Sequence, residues 1–327
     1  MKRFSLALVL AILTSTGISL IHAAGQKEED GGLTFAFVSR NLTHPFYMEV
    51  ERGIKSGCEK LGVNYLGFDA ELNDETFVRA VDAAIEKGID GLIVVVTTQS
   101  MGPVLHDKCR EVGIPVISID IPIKDSGGKQ IPYVGAPAAE TGETAGHALS
   151  KLVKERGFFR AGNSVKVMQI GVFSDSVMAE ISAGYEKALI QDLQIKKDDF
   201  IRREAKKGAF DECLQIANSI IDAHPRVTHW IITGSNEDGA IAPLRALENK
   251  GFSLDRVVAC GIGGSSLSYE EFQKPHKSYI TIKLDAFKEG ETAVKILYDY
   301  IIEGTKMPLN TLFPGIIVTK ENYKEFY

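Results

Sequence analysis

Short apolar runs alternate with longer stretches in which apolar positions recur every three or four residues, from Leu33 almost to the C-terminus. "LTFAFVS" reads as a strand. "HPFYMEVERGIKSGCEKLG" then takes a helical period, with Phe46, Val50, Ile54 and Leu61 on one face and Gly62 as the stop. "VNYLGFDA" returns to strand, and "NDETFVRAVDAAIEKG" is an amphipathic helix capped by Asn73 or Asp74 and closed by Gly88. The strand "GLIVVV", the helix "SMGPVLHDKCREVG" and the strand "PVISID" continue the series. From the strand "IPYVGA" a second series begins: a helix near 138–156, the strand "VKVMQIGVF", the helix "VMAEISAGYEKALIQ" and the strand "FIRREAK". The helix "AFDECLQIANSIIDAHP", the strand "VTHWIITG", the helix "GAIAPLRALENKG" and the strand "VVACGIGG" complete it.

Apolar strands joined by helices imply a parallel sheet covered on both faces, and right-handed crossovers make it doubly wound. A chain of 327 residues exceeds what one hydrophobic core organises. The predicted architecture is therefore α/β, two doubly wound parallel-sheet lobes with a ligand cleft between them. Ligands bind such sheets at the strand C-termini. Those ends carry Ser39 and Arg40, Asp69, Asp120, Phe173 to Asp175, Ser235 to Asp238, and Gly261 to Ser266. Trp230 lies inside a strand and is assigned to the core, which leaves Phe173 as the second candidate aromatic.

The formal net charge of −6, with no basic block interleaved with aromatics, excludes nucleic acid as a partner. Lys2 and Arg3, the apolar run "FSLALVLAILTSTGISLI" and the small residues of "HAAG" have the order of a cleaved signal peptide, taken as 1–24. The polar Ser and Thr inside it argue against a membrane anchor, and no cysteine stands at the cleavage region for a lipid. Residues 25–32 read as a linker. The expected location is periplasmic or secreted. Cys58, Cys109, Cys213 and Cys260 have no metal-ligand spacing; buried free thiols are favoured over a Cys213–Cys260 disulfide.

Two stretches are more specific. "HPFYMEVERGIKSGCEKLGV" and "HPRVTHWIITGSNEDGAIAPLRALENKGF" resemble the periplasmic sugar-binding proteins, the type I solute-binding family, and within it the arabinose-binding members. The resemblance implies three hinge strands and closure of the lobes on one monosaccharide. It implies a monomer with no cofactor, delivering its ligand to the membrane permease of an ABC importer or to a sensor receptor. The first lobe would comprise 33–135 and 285–313, and the second 136–284 and 314–327. Carried over, Phe46 matches the stacking aromatic and Tyr47 its neighbour, Ser39 or Arg40 the polar residue after the first strand, Asp120 an acidic hydroxyl acceptor, and Asn236 the ligand-facing Asn of the second lobe. Glu237 and Asp238 are then left to favour the helix dipole.

The departures also matter. His44 stands where the family has Asn, Gly263 where it has Asn or Asp, and "DSVMAEISAG", which holds Asp175, lacks the family's arginine. Arg40 and Lys283 would restore positive charge, suiting a different sugar or an acidic derivative. The open alternatives are a sensory protein for a sugar, a nucleoside or signalling furanose, presented to a chemoreceptor or histidine kinase, and a Rossmann-like enzyme. The enzyme lacks support: there is no GxSxG, no HExxH and no clustering of the seven histidines. "GIGGSS" and "SGGKQ" lack the endings of a phosphate loop, and "KKDDF" lacks a calcium ligand pattern. A repressor would need a DNA-binding helix pair ahead of the lobes.

Overall fold

A computed structural model describes residues 32–327; the expected signal peptide and nearly all of the linker lie outside the described residues. The first run comprises β1 (Thr34–Ser39), α1 (Pro45–Leu61), β2 (Asn64–Asp69), α2 (Asp74–Glu86), β3 (Gly91–Val94), α3 (Met101–Glu111), β4 (Val116–Ile119) and β5 (Tyr133–Gly135). The second comprises α4 (Ala138–Glu155), β6 (Val165–Gly171), α5 (Ser176–Leu193), β7 (Phe200–Glu204), α6 (Phe210–Ala223) and β8 (His229–Gly234). It continues through α7 (Asp238–Asn249), β9 (Val257–Gly263), α8 (Ser266–Gln273) and β10 (Tyr279–Lys283). Then α9 (Ala286–Glu303) packs against α1, β11 (Asn310–Leu312) pairs with β5, and β12 (Ile316–Val318) pairs with β10.

The result is two α/β lobes with six-stranded sheets, ordered β11-β5-β4-β3-β1-β2 and β12-β10-β9-β8-β6-β7. All pairings are parallel except β10–β12, which is antiparallel. In each lobe the winding reverses beside the first strand, between β1 and β3 and between β6 and β8. Loops diverge at that point and leave a crevice beyond the strand C-termini.

Local chemistry explains the elements. Pro45 opens α1 with its preset φ, His44 Nδ1 accepts the Phe46 N–H at 3.2 Å, and Gly62 ends the helix at φ 66°. Asn73 caps α2 through the Thr76 N–H at 2.9 Å. β3 is buried along its whole length, as a central parallel strand must be. Trp230 is in the core, and all four cysteines are buried free thiols, so the Cys213–Cys260 disulfide is not made. Burial pushes the thiols up, Cys58 to about 11 and Cys213 to about 12.

The sequence pattern did not show α8, β10, β11 or β12. The buried face of α8 is Ser268, Glu271 and Phe272, so it carries almost no apolar period. β11 and β12 have three residues each, too few for a period to register.

Two helix pairs approach backbone to backbone. A Cβ on Gly53 would lie 2.0 Å from the Phe287 carbonyl oxygen, and one on Gly290 2.2 Å from that of Val50, clasping α1 to α9. In the second lobe, Gly142 against Ile181 (2.0 Å) and Gly184 against Ala139 (2.4 Å) clasp α4 to α5. Gly53→Ala gains about 1 kcal/mol of helix propensity but must push α1 and α9 apart, an overpacking cost of roughly 1–3 kcal/mol or more. A lower urea midpoint is expected; an unchanged or higher midpoint would show that the helices separate freely.

Candidate functional site

The strand C-termini of both sheets border one cleft of about 900 Å³, its solvent mouth included. The first lobe contributes Arg40 from the β1–α1 loop, His44, Phe46 and Tyr47 from the start of α1, Asp120 after β4, and Tyr133 of β5. The second lobe contributes Asp175 at the cap of α5, Asn236 and Asp238 where β8 passes into α7, and Gly263 at the end of β9.

Among the described residues Arg40, 6% exposed, is the only cation in the cleft interior. Burial opposes its charge, but Tyr47, Asp120 and Asp175 outweigh burial and hold its pKa above the ordinary value. Its Nη1 is buried with no partner among the described residues. Such a group costs roughly 1–3 kcal/mol until something accepts its hydrogens. The Tyr47 hydroxyl donates to Asp120 Oδ2 at 2.9 Å, and the Tyr133 hydroxyl donates to the Asp120 carbonyl at 3.1 Å. Asp120 itself sits at φ 64°, a left-handed conformation that costs a non-glycine about 1–3 kcal/mol. Burial, then the neighbouring Asp175, push its carboxyl up to about 6, against the opposite pull of Tyr47 and Arg40. A strained acid beside an under-used guanidinium is arranged to accept and donate to hydroxyls. Phe46 and Tyr47, set edge to face with centroids 5.4 Å apart, supply apolar ring surface beside it.

The stretch Asn236–Glu237–Asp238 divides its labour differently from the sequence expectation. Asn236 Oδ1 accepts the Gly239 N–H at 2.8 Å and Nδ2 donates to the Gly208 carbonyl at 2.9 Å, so its amide holds the start of α7 while bordering the cleft. Glu237 stands at the N-cap of α7 but makes no side-chain cap hydrogen bond there. It is 1% exposed and accepts from the Ser265 N–H (3.0 Å) and from the hydroxyls of Ser265 and Ser268, tying α7 to α8. Burial raises its pKa although the serine donors pull the other way. Asp238, 8% exposed, is the residue whose carboxylate opens to the cleft. Its Oδ2 lies 3.8 Å from His44 Nε2 across the gap between the lobes. Burial, with Glu237 and Asp211, pushes it up to about 7, whereas burial and Arg40 hold His44 down at about 4.

Gly263 also has a local cause. Its φ is 132°, and a Cβ there would lie 3.2 Å from Glu237 Oε2, so the Glu237 carboxylate already occupies the space of a side chain.

Three candidates are not brought to the cleft. Ser39 is fully buried behind it, its hydroxyl accepting the Asn41 N–H at 3.3 Å. The Phe173 ring lies under the Arg202 guanidinium at 3.7 Å, turned to its own sheet edge. Lys283 donates to the Gly264 carbonyl at 3.1 Å and sits 4.8 Å from the Tyr327 ring centre, so it adds no charge to the site. Strand-end residues alternate in direction, and one position decides which of them looks into the crevice. Tyr133 and Asp238 also border the cleft although neither is among the expected site residues; Tyr133 is the third residue of the predicted strand "IPYVGA", away from its C-terminal end, and carried no signal. Among the described residues no His, Cys, Asp and Glu groups are placed to hold a metal. In the "KKDDF" loop, Asp199 is taken by the Lys196 N–H and Lys166 Nζ.

The lobes also touch at the rim. Gln99 Nε2 of the first lobe donates to Ser176 Oγ of the second at 2.7 Å.

Over 319 residues the chain is 22% identical to an ABC transporter L-arabinose-binding periplasmic protein of Azospirillum brasilense, covering 96% of this chain and 94% of that one. It is 23% identical over 311 residues to a ribose import binding protein of Bacillus subtilis (94% and 95% covered). A solved ABC transporter periplasmic solute binding protein from Actinobacillus succinogenes, with bound D-allose, superposes with a TM-score of 0.76 at 19% identity, covering 90% of this chain and all of that one. No helix among the described residues is long and apolar enough to cross a membrane. Residues 35–306, most of the chain, match the periplasmic binding protein domain, and the chain belongs to that family.

Proposed function

We propose that the protein captures a monosaccharide outside the cytoplasm and delivers it to the membrane permease of an ABC importer. The observation that carries this reading is the buried Arg40–Tyr47–Asp120 group, with its unpartnered Nη1, beside an aromatic ring in a cleft between two lobes. Sugar hydroxyls both donate and accept, and a pyranose face packs on an aromatic ring. Relatives named for arabinose and ribose support the ligand class, and names that specify transport or import favour a permease over a sensor. Residues 1–24 act as the export signal in this reading. The lobes are 33–135 with 285–313 and 136–284 with 314–327, and the three crossings between the sheets are the hinge. Capture stabilises the closed arrangement by the contacts that only closure makes.

A thermal-shift screen over pentoses, hexoses, sugar acids and nucleosides tests the reading. A ligand at a hundredfold its dissociation constant stabilises the protein by about 2.7 kcal/mol. A neutral or amino monosaccharide is expected to raise the melting temperature. A response to nucleosides alone, or chemical turnover of the ligand, would overturn the assignment.

A further inference from the structure

Within the cleft the charges do not balance. Arg40 faces Asp120 and Asp175, two carboxylates for one guanidinium. Asp238 is a third carboxylate, its side chain 11% exposed, and it accepts no hydrogen bond within the described residues. The groups around it do not satisfy it. Glu237 and Asp211 are acidic and oppose its charge. His44 accepts the Phe46 N–H at Nδ1, so the proton of the neutral ring sits on Nε2, 3.8 Å from Asp238 and beyond hydrogen-bond range. Lys207 borders the same cleft but is exposed at its rim.

We propose that Asp238 determines which monosaccharide is taken, selecting one that carries a protonated amine over its neutral parent. The inference rests on the sugar-capture reading above and sharpens it. An ammonium group brings three donors and a positive charge to a carboxylate that has neither, in a place where burial strengthens the attraction. A hydroxyl at the same position supplies one donor and no charge. A sugar acid would add a further carboxyl group to three that face one interior guanidinium, so the acidic derivative suggested by Arg40 and Lys283 is disfavoured.

The test is calorimetry on the full mature protein with matched pairs at neutral pH: glucosamine with glucose, galactosamine with galactose, and mannosamine with mannose. For the stereochemistry that fits, the amino sugar is expected to bind at least about tenfold tighter than its parent, as a charge-assisted hydrogen bond to a buried carboxylate allows. In Asp238→Asn the ratio of the two dissociation constants should collapse toward unity. A neutral sugar that binds as tightly as its amino partner overturns this inference and leaves the capture reading intact. A preference that survives in Asp238→Asn also overturns it. If neither member of any pair binds, this inference falls, and the capture reading falls with it only if no pentose or hexose shifts the melt in the thermal screen. The comparison on the unmodified protein decides the matter even if the variant fails to fold.

Discussion

Arg40→Ala is expected to weaken ligand binding by about a hundredfold or more, the largest loss of any single substitution in the cleft. Removing one member of a buried charged hydrogen-bonded group costs about 2–5 kcal/mol. Here the loss is compounded. Among the described residues, Asp120 and Asp175 would remain buried with no interior cation, and the donor that lacks a partner there would be gone. Arg40→Lys should restore only some of the affinity, because an ammonium cannot present the planar fork that reaches several acceptors at once. Titration calorimetry with the best ligand from the thermal screen measures both variants. Affinity for Arg40→Ala within about threefold of the unmodified protein would remove Arg40 from the site.

The second large effect concerns stability. Glu237→Ala leaves the Ser265 N–H and hydroxyl without their acceptor in a buried pocket, and leaves the Ser268 hydroxyl with Tyr279 Oη alone at 2.7 Å. At roughly 1–3 kcal/mol for each unsatisfied group, with some relaxation, a loss of about 3–5 kcal/mol is expected in urea unfolding. Glu237→Gln keeps an acceptor and should lose less. The two also differ in pH response. Burial holds the folded pKa of Glu237 above its unfolded value, so its contribution is fully present below the unfolded pKa and is lost as the pH rises through the folded one. The glutamine variant lacks that decline, so its deficit should narrow as the pH increases. An unchanged midpoint for Glu237→Ala would mean that α8 is held by other contacts.

The fold was legible because apolar strands and one-faced helices announce themselves by period, and because Pro45, Gly62 and Asn73 mark helix ends by chemistry that acts locally. The elements that escaped are those held by something other than an apolar stripe. Much of the site was legible for a related reason, since strand C-termini fix where Arg40, Asp120 and Asp175 must emerge. Direction at those ends was not legible. Phe173 and Lys283 sit at strand ends as Asp120 does, yet Phe173 turns to Arg202 and Lys283 to Tyr327. At the start of α7, three consecutive polar residues fan out about 100° apart, so one points to the helix, one to α8 and one to the cleft. Sequence identifies the three acceptors there; only the azimuth of the first turn assigns them.

The glycine clasp between α1 and α9 joins residues near opposite ends of the chain. It therefore sets an order of assembly. Until α9 and β11 exist, α1 has no partner for its glycine face, and β5 has no neighbour on its outer side. The second lobe has its clasp, α4 on α5, from adjacent segments, and lacks only β12 and the chain after it. The first lobe, although made first, must wait for distant chain to return, and contacts of such long separation form slowly. Both lobes are thus completed by distant chain, the first by α9 and β11 and the second by β12, and a newly made chain stays incompletely folded until its C-terminal end is available.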